Sequence, residues 1–359
     1  MSMSKQTEGR ESSAWHAADE SAAEADRASA RSGERSTEGP DMWAEAVRKI
    51  ALPAGRVRQL SQRHRSAAWC AICFDWAVMI SAMWIASNLN RVWCDALAVL
   101  VIGSRQHGLF AMLHEGVHYR IAESKSGNDW VCELLLAWPI GFSLPGFRAA
   151  HFAHHRRTNT ADDPDWVRKT NGGWILPMPA LKLLKLVLSE ILRVQTVRAW
   201  LRLASRPEIT ASDDMPAGTR GYLLLRFGWR CALLTCAALV FGVKAPIVYW
   251  LVPLFTWCEV LLLLRNAAEH FGVRKQWFAS TRSVVTSPLG RFFLAPHHVG
   301  LHTEHHLYRA VPFNRLPLLH QELQQSSWFR ENVCVTFGYS RVVRDWVTEL
   351  GERKPLRPA

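Results

Sequence analysis

Four long apolar runs organise the chain: residues 67–88, about 92–113, about 228–243 and 246–264. The first reads AAWCAICFDWAVMISAMWIASN and shows no polar face of the kind a surface helix of a soluble domain keeps. Each run approaches or reaches the roughly 20 residues that a helix needs to cross a bilayer. Short breaks, around Arg91 and at Lys244 and Ala245, make two tight pairs of them. Asp75, Asp95 and Glu259 interrupt the runs. An acid at that depth faces protein or a cavity, as half of a structural pair or as lining of a substrate tunnel, and both readings stand for each.

Two further stretches break the pattern. Residues 130–147, WVCELLLAWPIGFSLPGF, carry Pro139, Pro145 and two glycines, which suits a re-entrant or interfacial segment better than a fifth crossing. Residues 174–204 alternate apolar positions with Lys182, Lys185, Arg193, Arg198 and Arg202, as a helix lying along a membrane surface does. Residues 1–45 are mostly Ser, Ala, Glu, Asp and Arg without a sustained apolar run, so a disordered tail is expected there and a cleaved secretory signal is not. The histidine-bearing domain is expected over 46–330, with a C-terminal extension over 331–359.

Charge sets the orientation. Arg48, Lys49, Arg56, Arg58, Arg63 and Arg65 precede the first run, whereas the short connections within the pairs hold little more than Arg91 and Lys244. The positive side is cytoplasmic, so the N-terminus and the returning ends at His114 and Asn266 are expected there. The formal charge of +12 fits a membrane surface, because the basic residues flank apolar runs and form no stripe with spaced aromatics; no nucleic acid partner is expected. The 17 Trp residues suit apolar–aqueous boundaries. Eight cysteines sit mainly inside the runs and read as buried, reduced thiols.

The chemistry is carried by histidine. Of 15 histidines, eight fall in three boxes: HEGVH gives His114 and His118, HFAHH gives His151, His154 and His155, and HTEHH gives His302, His305 and His306. RNAAEH adds Asn266 and His270, four apart at the end of the fourth run. Spacing of i, i+3, i+4 is expected to put three imidazoles on one helical face near a shared centre. HEGVH alone also matches a zinc protease helix with Glu115 as general base, but that reading leaves six boxed histidines idle. A metal-ion transporter would place its polar residues nearer mid-membrane. So many imidazoles over-supply one zinc and suit two ions, and a hydrocarbon substrate in a membrane calls for an oxidant rather than a hydrolase. Glu115 then orients a histidine. His107, one heptad before His114, reads as tunnel wall or support; His297, His298 and His320 read as support or structure; His16 and His64 lie outside the site.

These motifs, above all HFAHHRRTNTADDPD and HHVGLHTEHHLYRAVPFNRLPLLH, resemble the membrane-bound fatty acid desaturase and hydroxylase family over roughly residues 67–325. The resemblance implies an all-α integral membrane protein with four transmembrane helices, interfacial or re-entrant helices, and a cytoplasmic cap carrying a histidine-rich dimetal site. It implies two iron ions with His114, His118, His151, His154, His155, His270, His302, His305 and His306 as ligands, and Asn266 reaching one metal through water. Glu115, Asp162, Asp165, Glu269 and Glu304 are the acids expected to orient those ligands, and Asp163 shares the acidic turn. Dioxygen is the implied co-substrate. An acyl-lipid, acyl-carrier or acyl-CoA substrate is implied in the membrane lipid. Without a haem-binding HPGG motif or clustered cysteines, the electrons come from a separate ferredoxin-like donor. Desaturation is the expected outcome; hydroxylation or carotenoid ketolation uses the same boxes. The sequence departs from the family at Glu115, where Asp is frequent, at Arg309, where Pro is usual, and at Arg156 and Arg157, where another His is common.

Overall fold

The computed structural model describes residues 50–159, 163–164, 176–192, 220–273 and 281–348. Four of its helices are long and apolar enough to cross a membrane, ending at Leu89, Val117, Phe241 and His270. A short helix α1 (Ala54–Leu60) precedes α2 (Arg65–Leu89), the first span, and α3 (Val92–Val117), the second. The helices α4 (Lys125–Val131), α5 (Leu144–Arg157) and α6 (Ala180–Leu192) lie between the second and third spans. The third span is α7 (Arg220–Phe241). The fourth begins as a π-helical segment, Pro246–Leu251, and ends as α8 (Trp257–His270).

The spans reverse where the backbone can turn left-handed. Asn90 ends α2 at φ 47° and Gly242 follows α7 at φ 91°, both conformations that stop a helix cleanly. Lys244 ties the two reversals together, donating to Asn90 Oδ1 at 3.1 Å and to Asp95 Oδ1 at 3.2 Å. Asp95 also accepts from the Tyr249 hydroxyl at 2.5 Å. Asp75 is completely buried and accepts from Arg105 Nη1 at 2.9 Å, so each of these two acids is half of a structural pair. Residues 102–117 of α3 are buried on all sides, which makes it the central helix. The outward faces carry exposed apolar side chains such as Trp84, Val92, Leu224, Leu239 and Val243, the pattern of a lipid-facing surface. This also corrects the reading of the cysteines. Cys70, Cys73, Cys231 and Cys236 are exposed, because an apolar run in a span can face lipid as well as protein.

Residues 130–147 form a hairpin with a broken backbone. α4 passes into a π-helical turn, Cys132–Ala137, then a turn with Gly141 at φ 90° before α5 begins. Its carbonyls find side-chain donors: Trp76 Nε1 to Leu135 O at 3.1 Å, Arg230 Nε to Trp138 O at 2.9 Å, Trp250 Nε1 to Pro139 O at 3.1 Å and Arg226 Nη2 to Gly141 O at 2.7 Å. Interrupted backbone persists at membrane depth only when protein satisfies it in this way. The chain enters after His118 and returns by His151, whose Nε2 atoms are 2.9 Å apart, so the hairpin starts and finishes at one end of the spans.

α6 buries Leu183 and exposes Leu181, Leu184 and Leu188 beside Lys182 and Lys185, the amphipathic face anticipated for this stretch; residues 193–204 lie outside the described residues. The rest is the cap: β1 (Arg282–Val285), α9 (Pro288–Phe293), α10 (His302–Leu307), α11 (Leu316–Leu323), α12 (Ser327–Asn332), β2 (Cys334–Phe337) and α13 (Tyr339–Val347). The fold is mostly helical, and the apolar pattern did not suggest the small sheet found among the described residues, in which β1 and β2 pair in parallel with Arg282 opposite Cys334. Val342 and Trp346 of α13 pack with Ala267, Ala268 and Phe271 at the end of the fourth span.

Candidate metal centre

The site assembles where the second and fourth spans end. His114 lies in the last turn of α3 and His118 just past it; His270 closes α8; α5 and α10 bring the two HxxHH boxes between them. All nine boxed and span-end histidines gather, but in two groups rather than around one centre. His114, His118, His151, His155 and His305 form one, and His154, His270, His302 and His306 the other; within each, one ligating atom per residue lies within 4.8 Å of every other.

Helix geometry explains the division. At 100° per residue, i and i+4 stand about 40° apart and share a face, whereas adjacent residues diverge by about 100°. His151 and His155 therefore point to the first group while His154 points to the second. In α10 the roles reverse: His302 and His306 serve the second group and His305 the first. The groups interleave closely, with the His155 and His306 rings 4.3 Å apart.

The donor set fits metal ions. Within the first group Nε2 atoms meet at 2.9 Å (His118–His151), 2.8 Å (His151–His155) and 3.0 Å (His155–His305). Within the second they meet at 2.9 Å (His270–His302) and 3.0 Å (His302–His306). Nitrogens bonded to one cation at about 2.1 Å and at right angles would stand about 3 Å apart. His114 Nε2 is buried without a hydrogen-bond partner among the described residues. Burial, reinforced by neighbouring histidines, pushes the imidazoles of His118, His151, His155, His302 and His305 well below their ordinary pKa, which leaves them neutral with lone pairs free. The group of five exceeds the four ligands of a tetrahedral zinc, and the group of four exceeds the three protein ligands of a catalytic one.

Residues 90–331, more than half of the chain, match the fatty acid desaturase family model. The chain belongs to the fatty acid desaturase family. Among curated relatives, a dihydrorhizobitoxine desaturase of Bradyrhizobium elkanii is 27% identical over 286 residues, 77% of each chain. A beta-carotene ketolase of a Paracoccus strain is 28% identical over 260 residues, 66% of this chain and 88% of its own. An sn-1 acyl-lipid omega-3 desaturase (ferredoxin) of Synechocystis is 24% identical over 253 residues, 65% of this chain and 68% of its own. Family membership and the paired histidine groups make this desaturase-family chain an oxidoreductase with a diiron-type site.

The acids around the desaturase centre divide by what they touch. Asp163 is fully buried and receives His154 Nδ1 at 2.9 Å and Asn159 N at 2.8 Å, which fixes the tautomer that turns His154 Nε2 inward. Asp162 and Asp165 lie outside the described residues. Glu269 accepts from Arg265 at 2.7 Å and stands 3.5 Å from His302 Nδ1. Glu115 accepts instead from the backbone N–H of Phe313 at 3.0 Å, and Glu304 from Ser283 and, at 2.5 Å, His320. Neither carboxylate bonds a clustered imidazole; each braces a backbone that carries one. Asn266 stands one turn before His270 on α8.

Of the remaining histidines, His297 lies 2.7 Å from Asp75, and His64 accepts from Arg315 at 2.7 Å. His107 is fully buried, belongs to neither group, and neither of its ring nitrogens has a hydrogen-bond partner among the described residues. His16 lies outside the described residues. Gly116, between the first two ligand candidates, was not singled out by sequence. A Cβ there would stand 2.1 Å from Cys132 Sγ, so only glycine lets the hairpin seat against the HEGVH helix. A small cavity of about 10 Å³ touches both groups, bordered by His114 and His305 from the first and His302 from the second, with His297 and Phe313 opposite.

Proposed function

We propose that this protein desaturates a fatty acyl chain held in the membrane, using dioxygen, two irons and electrons from a separate donor. The observation that carries the reading is the interleaving of two all-histidine groups at one end of four spans, bordering a shared cavity. In it His114, His118, His151, His155 and His305 would hold one iron, and His154, His270, His302 and His306 the other, with Asn266 acting through water. When bound, the iron pair supplies dioxygen activation and hence an oxidant strong enough for unactivated C–H bonds.

The chain's own residues supply position. Asp163 holds His154, and Glu269 with Arg265 faces His302, so these rings keep one tautomer and orientation. The small cavity bordered by His114, His302 and His305 has room for about one water-sized molecule, and the reacting methylenes would approach the histidine groups beside it. Two adjacent methylenes lose hydrogen; two electrons and two protons with dioxygen complete two waters. The 46–330 domain carries this work, with the strand and helix that follow bracing the cap. By the positive-inside pattern the site and the N-terminus are cytoplasmic, where a soluble ferredoxin-like donor reaches the basic cap. The Synechocystis relative, named for desaturation with ferredoxin, supports that assignment.

The second reading is oxygen insertion on the same irons, favoured by the similarity to ketolases over 88% of their length. Expression in a host without such enzymes, followed by lipid mass spectrometry, separates the two: loss of two hydrogens supports desaturation and gain of oxygen supports the alternative. Purified protein should carry about two irons. His305→Ala should lower that content and abolish turnover; full activity in this variant would overturn the site.

A further inference from the structure

The turn PHHVG at residues 296–300 separates two cavities. His297 borders the small one beside the histidine groups; His298 borders another, of about 180 Å³, on the opposite side. Both residues are left-handed, at φ 53° and φ 57°, a pairing that residues with a β-carbon avoid. Asp75 fixes the first, and the Gly300 carbonyl bonded to Val284 N at 2.7 Å fixes the end of the turn. Strain of this kind gathers at ligand-binding turns, where the surroundings hold it in place.

The larger cavity is lined by apolar residues, including Val284, Ala295 and Leu301, and by the polar Arg291, His298 and His320. No carboxylate is among its lining residues. Arg291 has no acidic partner, and the His298 ring no hydrogen-bond partner, among the described residues. His320 Nδ1 is committed to Glu304, which leaves Nε2 for the cavity side. Burial, and then Arg291, hold His298 down to a pKa of about 4, so it meets a ligand as a neutral ring with one N–H.

We propose that this cavity is an oxyanion site, taking the phosphate of a lipid headgroup or the free anion, with Arg291 as counter-charge and His298 and His320 as directional contacts. A guanidinium and two imidazoles among apolar lining residues match a phosphate on an amphiphile, and the volume admits the anion. The site borders none of the clustered histidines and is independent of the reaction proposed above.

The test uses the full chain in phosphatidylcholine nanodiscs. Inorganic phosphate is titrated by calorimetry, and nanodiscs containing phosphatidic acid are examined by native mass spectrometry for retained lipid. Saturable phosphate binding identifies a free-anion site; retention of phosphatidic acid without it identifies a headgroup site. In either case Arg291→Gln should weaken binding at least about tenfold, since a charge-assisted contact is lost. His298→Asn, which tolerates the left-handed turn, should weaken it several-fold. Iron content and melting temperature of both variants confirm the fold and are read independently of phosphate. Absence of saturable binding of either probe, or wild-type affinity in Arg291→Gln, would overturn the site.

Discussion

Gly116→Ala tests how the hairpin holds the metal centre. On helix propensity alone the change should stabilise, since Ala exceeds Gly by about 1 kcal/mol inside a helix. The packing says the reverse. The new Cβ would lie 2.1 Å from Cys132 Sγ, where ordinary contact begins at 3.4 Å. Neither partner can withdraw freely. The Gly116 carbonyl accepts from Asn128 Nδ2 at 2.9 Å and Arg148 Nη2 at 3.3 Å, and Cys132 is fully buried in the π-helical turn. Overpacking of this sort costs about 1–3 kcal/mol, which in a chain of this size lowers the melting temperature by about 1–2 °C per kcal/mol. His114 and His118 flank the strained peptide, so iron content should fall and product formation should drop more than about tenfold. Cys132→Ala removes the sulfur and leaves its Cβ at 3.4 Å, so the double variant should regain most of both losses. A single variant as stable and as iron-rich as the parent, or a double variant no better than the single, would refute the argument.

Three further outcomes follow from the geometry. Asp163→Asn keeps the shape but removes the charge behind His154; iron affinity, read by chelator competition, should fall about 10–100-fold while melting of the metal-free protein changes little. Asp75→Asn strands the buried Arg105 charge and should cost about 3–5 kcal/mol in denaturation measurements, whereas Asp75→Leu combined with Arg105→Met should cost far less. For pH, burial lowers His151, His155, His302 and His305 below their ordinary 6.5, so below that pH the unfolded chain binds more protons than the folded one. Metal-free protein should hold its stability above about pH 6.5 and lose it as pH falls; a melting temperature that rose on acidification would contradict the burial of these rings.

Much of this was legible from spacing. The four runs became four helices because uninterrupted apolar length leaves a chain little alternative. Pro139, Pro145 and their glycines announced the broken hairpin, although not the four side chains that satisfy it, since those come from other spans. The boxes pointed to nine histidines. What spacing did not convey was their partition, because i, i+3 and i+4 look like one face until the 100° between neighbours is counted. Nor could composition single out Asp163: an Asp-Asp-Pro-Asp turn presents several acids, and the contact of Asp163 with His154 comes only with the fold. Glu115 and Glu304 illustrate a related limit. Both sit inside boxes, yet helix geometry turns each away from the imidazoles beside it.

That turning-away has a consequence for how the two groups keep their separation. Each HxxHH box divides its histidines between both groups, so the distance between centres is set by the orientation of α5 and α10, not by any one side chain. α10 has only six residues and too few internal hydrogen bonds to hold itself. It is pinned from behind. Ser283 receives Thr303 N at 3.1 Å and donates to Glu304, whose other oxygen meets His320. Ser283 belongs to β1, which is held in register by β2. The small sheet that the apolar pattern never suggested is therefore the brace of the third histidine box, and weakening it should loosen both centres at once.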